Sequence, residues 1–133
     1  MTWTVHDREF AAVRKISNEQ RYEYTVKRAA WYRELWSLRQ PGGWVLSATS
    51  AGVEIHPVWP HRRFAEVMAI GSDWAGAEPS PICIDEWLGP WTRGMIDAGR
   101  SVLVFPVDIV AIGGVIDPQS FADDLRSELA LVE

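Results

Sequence analysis

The chain has 133 residues, 47% of them hydrophobic and 23% charged, with one cysteine and a formal net charge of -5. That is one domain by size, spanning residues 1–133 and able to bury roughly two-thirds of its unfolded surface. The acidic balance argues against a nucleic-acid binder, which draws its affinity from neutralising phosphates, and no apolar run approaches the roughly 18 residues of a membrane span.

In chain order, Asp7 to Ile16 reads as a short helix, with Phe10, Val13 and Ile16 at helical spacing. Ser17-Asn-Glu-Gln20 has the form of a capping box, the serine hydroxyl serving the third helical amide while the glutamine reaches back. It opens a second helix to about Arg33, with Tyr22, Val26 and Ala29 or Ala30 as its apolar stripe. Tyr24, Lys27, Arg28 and Trp31 make the rest of it aromatic and basic, which reads first as an amphipathic helix whose cationic heads stay in water. Leu35 to Arg39 fits either a helix end or a strand. Gln40-Pro-Gly-Gly43 is a turn, Trp44 to Thr49 alternates like a strand, and Ser50-Ala-Gly52 is a tight link into the next. Short strands joined by hairpin-sized links predict an antiparallel meander.

From Val53 to Trp59 the residues alternate, with Val53, Ile55, Pro57 and Trp59 on one side and Glu54, His56 and Val58 on the other. Pro57 offers no ladder donor, which predicts an edge or a strand end. Pro60 suits the first position of a helix continued by Phe64, Val67 and Met68, so His61, Arg62 and Arg63 fall in its first turn. Cations there oppose the helix dipole at a cost of up to about 1 kcal/mol each. Free helix donors, His61 and an arginine at such a corner would form a small anion site for a phosphate or a carboxylate, with His56 as an acid or base and Trp59 beside it. The simpler reading is solvated arginines paired with acids such as Glu66. A closed metal site needs four ligands at about 2 Å, and His56, His61, His6 and Cys83 have no finger-like spacing, so neither a metal nor a cofactor is expected.

Gly71 to Pro81, broken by glycine and proline, predicts an irregular loop. Cys83, between Ile82 and Ile84, reads as a small buried apolar residue. Asp85 suits the cap of a short turn through Leu88, and Gly89-Pro90 restarts a helix through Trp91, Met95 and Ala98 that Gly99 stops. Arg100 to Val107 is the most apolar strand, so it belongs where both faces are covered, with Ile109 to Ile112 pairing back on it. Asp117-Pro118 starts a last helix striped by Phe121, Leu125, Leu129 and Val132, with Asp123, Asp124 and Glu128 on its solvated side.

Eight tryptophans, spread along the chain, would mostly build the core; an exposed subset would mark a binding face. Charge is uneven: residues 1–39 hold eight basic against five acidic groups, and residues 40–133 hold five against thirteen, a polarity that suits steering of a charged protein partner. Glycine-rich nucleotide loops, a nucleophile elbow and a zinc-protease motif are all absent from the sequence.

Arg21-Tyr-Glu-Tyr24, Trp44, Pro57-Val-Trp-Pro-His61 with Ala65-Glu66, Val104-Phe-Pro106 and the closing Asp117-Pro-x-x-Phe-Ala-x-x-Leu125 together resemble an uncharacterised family of small bacterial proteins, the domain of unknown function numbered 2750. The likeness runs from about Glu19 to Leu129. It implies an α+β bacterial domain and carries no activity or catalytic residues with it. The sequence thus predicts an α+β domain, an antiparallel sheet of four to five strands with helices packed mainly on one face. The start lacks the charged-then-apolar order of a signal peptide and the lone cysteine fits a reducing compartment, which together predict a cytoplasmic protein. The expected function is a non-enzymatic accessory or immunity-type protein that binds another protein, without membrane or nucleic-acid partners. The alternative is an anionic-ligand or catalytic site at His56, Trp59, His61, Arg62 and Arg63.

Overall fold

The computed structural model describes residues 3–70, 74–108 and 114–132; the expected strand from Ile109 to Ile112 lies outside them. Helices α1 (Asp7–Lys15) and α2 (Asn18–Tyr32) meet at the capping box, where Ser17 Oγ accepts from the Gln20 amide and Gln20 Oε1 accepts from the Ser17 amide, both at 3.1 Å. Arg33 ends α2 in the left-handed region, at φ 58°. The ambiguous segment that follows is a strand, β1 (Glu34–Gln40), which turns at Pro41-Gly42 into β2 (Gly43–Trp44). A second hairpin joins β3 (Ser47–Ala48) to β4 (Glu54–Val58), with Ser47 opposite Ile55.

Both hairpins are antiparallel, yet they do not continue into one meander. β1 and β2 join β5 (Glu78–Cys83) in the order β2-β1-β5, whereas β3 and β4 join β6 (Ser101–Val104) and β7 (Val115–Ile116) in the order β3-β4-β6-β7. β4 and β6 run parallel; every other pair is antiparallel. The two sheets are tied where Trp36 and Trp59 exchange backbone hydrogen bonds, each 2.8 Å.

That tie explains how Pro57 sits inside a sheet. Trp59 turns its backbone groups toward Trp36, whereas Val58 turns its carbonyl the other way, to the Phe105 amide at 2.8 Å. Pro57, two residues before Trp59, therefore faces the gap between the β3 ladder, which stops at Ile55, and the bridge to β1. No ladder donor is needed there, and the Pro57 carbonyl accepts the Ser37 hydroxyl at 2.7 Å. β4 is consequently an interior strand, not an edge, and His56 and Val58 are buried along with Ile55 and Trp59.

β5 replaces part of the expected loop. Pro79 and Pro81 lie opposite Leu38 and Trp36, whose backbone groups bond away from β5, to Val45 and Trp59. The two proline nitrogens thus point to the open side of the sheet, where a missing donor costs nothing. Cys83 is exposed at the end of this strand, not buried.

After α3 (Arg62–Met68) and β5, α4 (Ile84–Glu86), a π turn (Trp87–Trp91) and α5 (Thr92–Ala98) run on without a stop. Proline inside a helix lacks a donor and crowds the preceding turn; the wider π turn accommodates Pro90, and the Thr92 hydroxyl donates to the Trp87 carbonyl at 2.5 Å. Gly99 ends α5 at φ +69°. Asp117 caps α6 (Pro118–Val132): its carboxylate accepts from the Ser120 amide at 2.9 Å and the Ser120 hydroxyl at 2.6 Å, bonds that lower its pKa. Phe121, Leu125 and Leu129 are buried as the stripe predicts, whereas Val132 is exposed. α2 packs beside α6 and both reach β6, while α3 lies against β1 and β5. The result is an α+β domain.

Candidate functional site

The corner after β4 brings its polar groups to partners within the chain. Helix α3 begins two residues later than the proline suggests: Pro60 is buried ahead of the cap, and His61 itself is the N-cap. His61 Nδ1 accepts from the Arg63 amide at 3.0 Å, and its Nε2 lies 2.9 Å from the Trp3 carbonyl, an acceptor only. The ring is therefore the neutral Nε2–H tautomer with both nitrogens engaged. Arg62 pairs with Glu66 one turn on. Arg63 reaches back to α1, donating to the Val5 carbonyl at 2.7 Å and to Asp7 Oδ1 at 2.6 Å, with its guanidinium 4.2 Å from the centre of the Phe10 ring. These contacts offset the unfavourable charge at the helix start and staple α1 to α3.

His56 and Trp59 have other neighbours. The Trp59 indole donates to the Pro106 carbonyl at 3.0 Å and crosses Trp74 edge-on. The His56 ring is 3% exposed, enclosed by Trp44, Trp87 and Trp91 with centroids at 6.1, 6.1 and 5.2 Å. Its Nε2 lies 3.1 Å from Ser37 Oγ. Because the only hydroxyl proton of Ser37 goes to the Pro57 carbonyl, Ser37 accepts here and His56 Nε2 is the donor. A histidine that activates a serine must instead take that proton, so this buried pair has the geometry of a core lock. Burial first, and the nearby Arg100 cation second, push the His56 pKa down to about 4, which keeps the ring neutral near pH 7.

A second place, only half legible in the sequence, is the seam between α2 and α6. The helices run in the same direction: Tyr22 hydrogen-bonds Asp124, Lys27 and Glu128 flank the same hollows, and Trp31 and Val132 share one at the far end. Three cavities of about 280, 370 and 500 Å³ open along it. Glu19 and Tyr22 line both the first and the second, and Lys27 and Glu128 both the second and the third, so the three form one groove. From Glu19 to Trp31 it follows about 18 Å of helix. Burial first, and then the Asp124 carboxylate, raise the Tyr22 pKa, so the phenol stays protonated in the groove floor. Trp31, at 55% exposure, is the one exposed tryptophan of the eight, and Leu131 and Val132 are exposed at the same helix end of α6. Glu19, Glu23, Lys27 and Glu128 make no ion pair or side-chain hydrogen bond among the described residues.

The aromatic, basic face of α2 and the acidic side of α6 were each visible in the sequence; that they meet is a property of the fold. Among the described residues no cluster of histidine, cysteine and carboxylates could hold a metal, and no helix is long and apolar enough to cross a membrane.

Fold and surface together define a small α+β domain with an open groove between two of its helices. The model of a family described as "Protein of unknown function (DUF2750)" matches residues 22–125, and the chain belongs to that family. No curated protein matches the chain.

Proposed function

We propose that this is a non-enzymatic binding protein that engages another protein through the α2–α6 groove. The observation that carries the reading is Trp31: seven tryptophans are buried or half-buried, and this one is left in water beside Val132, at the mouth of the 500 Å³ hollow. Solvated tryptophan beside apolar neighbours is costly in an isolated chain and favourable under a partner, which is why it dominates interface energetics. The chemistry of the histidines supports the same reading. The His56 ring is buried, with Nε2 donating to Ser37, and both nitrogens of His61 are hydrogen-bonded within the chain.

The reading is tested by affinity capture from native lysate with the wild-type chain, Trp31→Ala, and Ile70→Ala as an exposed apolar control. It requires a stoichiometric partner that wild type and Ile70→Ala retain and Trp31→Ala loses. Absence of any stoichiometric partner, or one that Trp31→Ala retains in full, contradicts it.

A further inference from the structure

We infer that the occupant of this groove is a basic peptide segment of the partner, carrying lysine or arginine along the Glu19–Glu128 stretch and an apolar side chain that seats on Trp31 and Val132. The inference rests on the protein-binding reading above and adds the chemistry of the partner.

Charge complementarity carries it. Along the middle hollow stand Glu19 and Glu23 from α2 and Asp124 and Glu128 from α6, against the single ammonium of Lys27. Asp124 is engaged by the Tyr22 hydroxyl, but Glu19, Glu23 and Glu128 have no cationic partner among the described residues. Elsewhere on this surface carboxylates do find cations: Glu9 holds Arg28 at 3.3 Å, Asp85 holds Arg33 at 3.0 Å and Glu54 holds Arg100 at 3.3 Å. Like charges left facing one another across a groove repel, and a cationic segment laid between them removes that repulsion.

The far end differs in kind. There Arg28 is already committed, paired with Glu9 and stacked over Trp3 and Tyr24 at 4.9 and 5.2 Å. Apart from Arg28, that hollow is lined by Tyr24, Lys27, Trp31, Glu128 and Val132, of which Trp31 and Val132 are the exposed apolar side chains. That surface favours an apolar or aromatic anchor, with the groove reading charge at one end and shape at the other. About 18 Å of helix accommodates about six extended residues. The acidic majority of the chain, at a net charge of -5, steers such a partner in.

The experiment uses two fluorescein-labelled synthetic peptides of about ten residues, sized to overhang that span. Each ends in leucine and phenylalanine, and they differ only in carrying lysines or glutamates before that anchor. Binding to the full chain is read by fluorescence polarisation at low and physiological salt. The lysine peptide is expected to bind, to weaken as salt rises, and to bind about tenfold more weakly to the Glu23→Lys/Glu128→Lys variant. A Glu86→Lys/Asp97→Lys variant, with the same net charge but exposed changes on α4 and α5, should bind like wild type. Equal binding of both peptides, no binding of the lysine peptide, or equal weakening by the two double variants overturns the inference. Sedimentation reads the other occupant, a second copy of this chain: a dimer that Glu23→Lys/Glu128→Lys dissolves also overturns it. If a Trp31-dependent partner is captured and the lysine peptide fails to displace it, the basic-segment inference falls while protein binding stands. If no such partner is captured, both fall.

Discussion

Replacing His56 with leucine should remove one specific part of the acid sensitivity of the fold. In the folded chain burial and Arg100 lower the His56 pKa from 6.5 to about 4. In the unfolded chain the ring returns to its ordinary value. Between these two values the unfolded state takes up a proton that the folded state refuses, so stability is full above pH 6.5, falls as pH drops toward 4, and levels off below. Each pH unit of the gap is worth about 1.4 kcal/mol, so the loss reaches about 3 kcal/mol, a large share of the roughly 5–15 kcal/mol of a typical domain. The groups around the ring do not rescue the charged form: Trp44, Trp87 and Trp91 bring no carboxylate, and Glu54 is occupied by Arg100 at 3.3 Å. Urea unfolding of wild type and His56→Leu at pH 7.5, 6.5, 5.5 and 4.5 measures the effect as a difference, in which the other titrating groups cancel. The stability difference between the two proteins should shift by about 2 to 3 kcal/mol in favour of the variant between pH 7.5 and 4.5. A difference that stays flat across that range would refute the argument that the ring is sealed and neutral.

Two further perturbations test the packing. Gly114 has φ +85°, and a Cβ there would lie 2.9 Å from the Val104 carbonyl oxygen, so Gly114→Ala should destabilise by about 1 to 3 kcal/mol in thermal or urea unfolding; an unchanged midpoint would contradict it. Trp59 and Trp87 are both fully buried, but only the Trp59 indole has a hydrogen-bond partner, so Trp59→Phe should cost about 1 kcal/mol more than Trp87→Phe. Equal losses in urea titrations would remove the role assigned to the Pro106 carbonyl.

The features that could be read from the chain are those set by neighbours in sequence. Ser17 with Gln20, Asp117 before Pro118, and Gly99 after Ala98 are local devices, and each sits where its pattern implies. What escaped depends on partners far away. Pro79 and Pro81 look like loop residues until β1 is seen to bond away from them. Pro57 looks like an edge until the gap between β3 and β1 is known. Gly89-Pro90 looks like a break, yet a π turn carries the helix through and places Trp87 and Trp91, stacked at 5.5 Å, over His56. The alternation of β4 implied one wet face, which holds only when a single layer covers a strand; here tryptophans from β2 and the π turn cover the second. Of the five corner residues, Trp59 is core, His56 is enclosed, and His61, Arg62 and Arg63 are bound within the chain. The groove escaped for the same reason as β5. Helical periodicity places Trp31 and Glu128 on the outer sides of two helices, but only the packing of α2 on α6 puts them along one seam.

The central claim, that the seam between α2 and α6 is where a partner protein sits, is tested most directly by site-specific photo-cross-linking. A benzophenone side chain is introduced in place of Trp31, Glu128 or the remote, exposed Ile70, and each variant is irradiated in the native lysate. Positions 31 and 128 should yield one and the same cross-linked protein and position 70 none; cross-linking at position 70 alone, or different proteins at 31 and 128, would contradict the account.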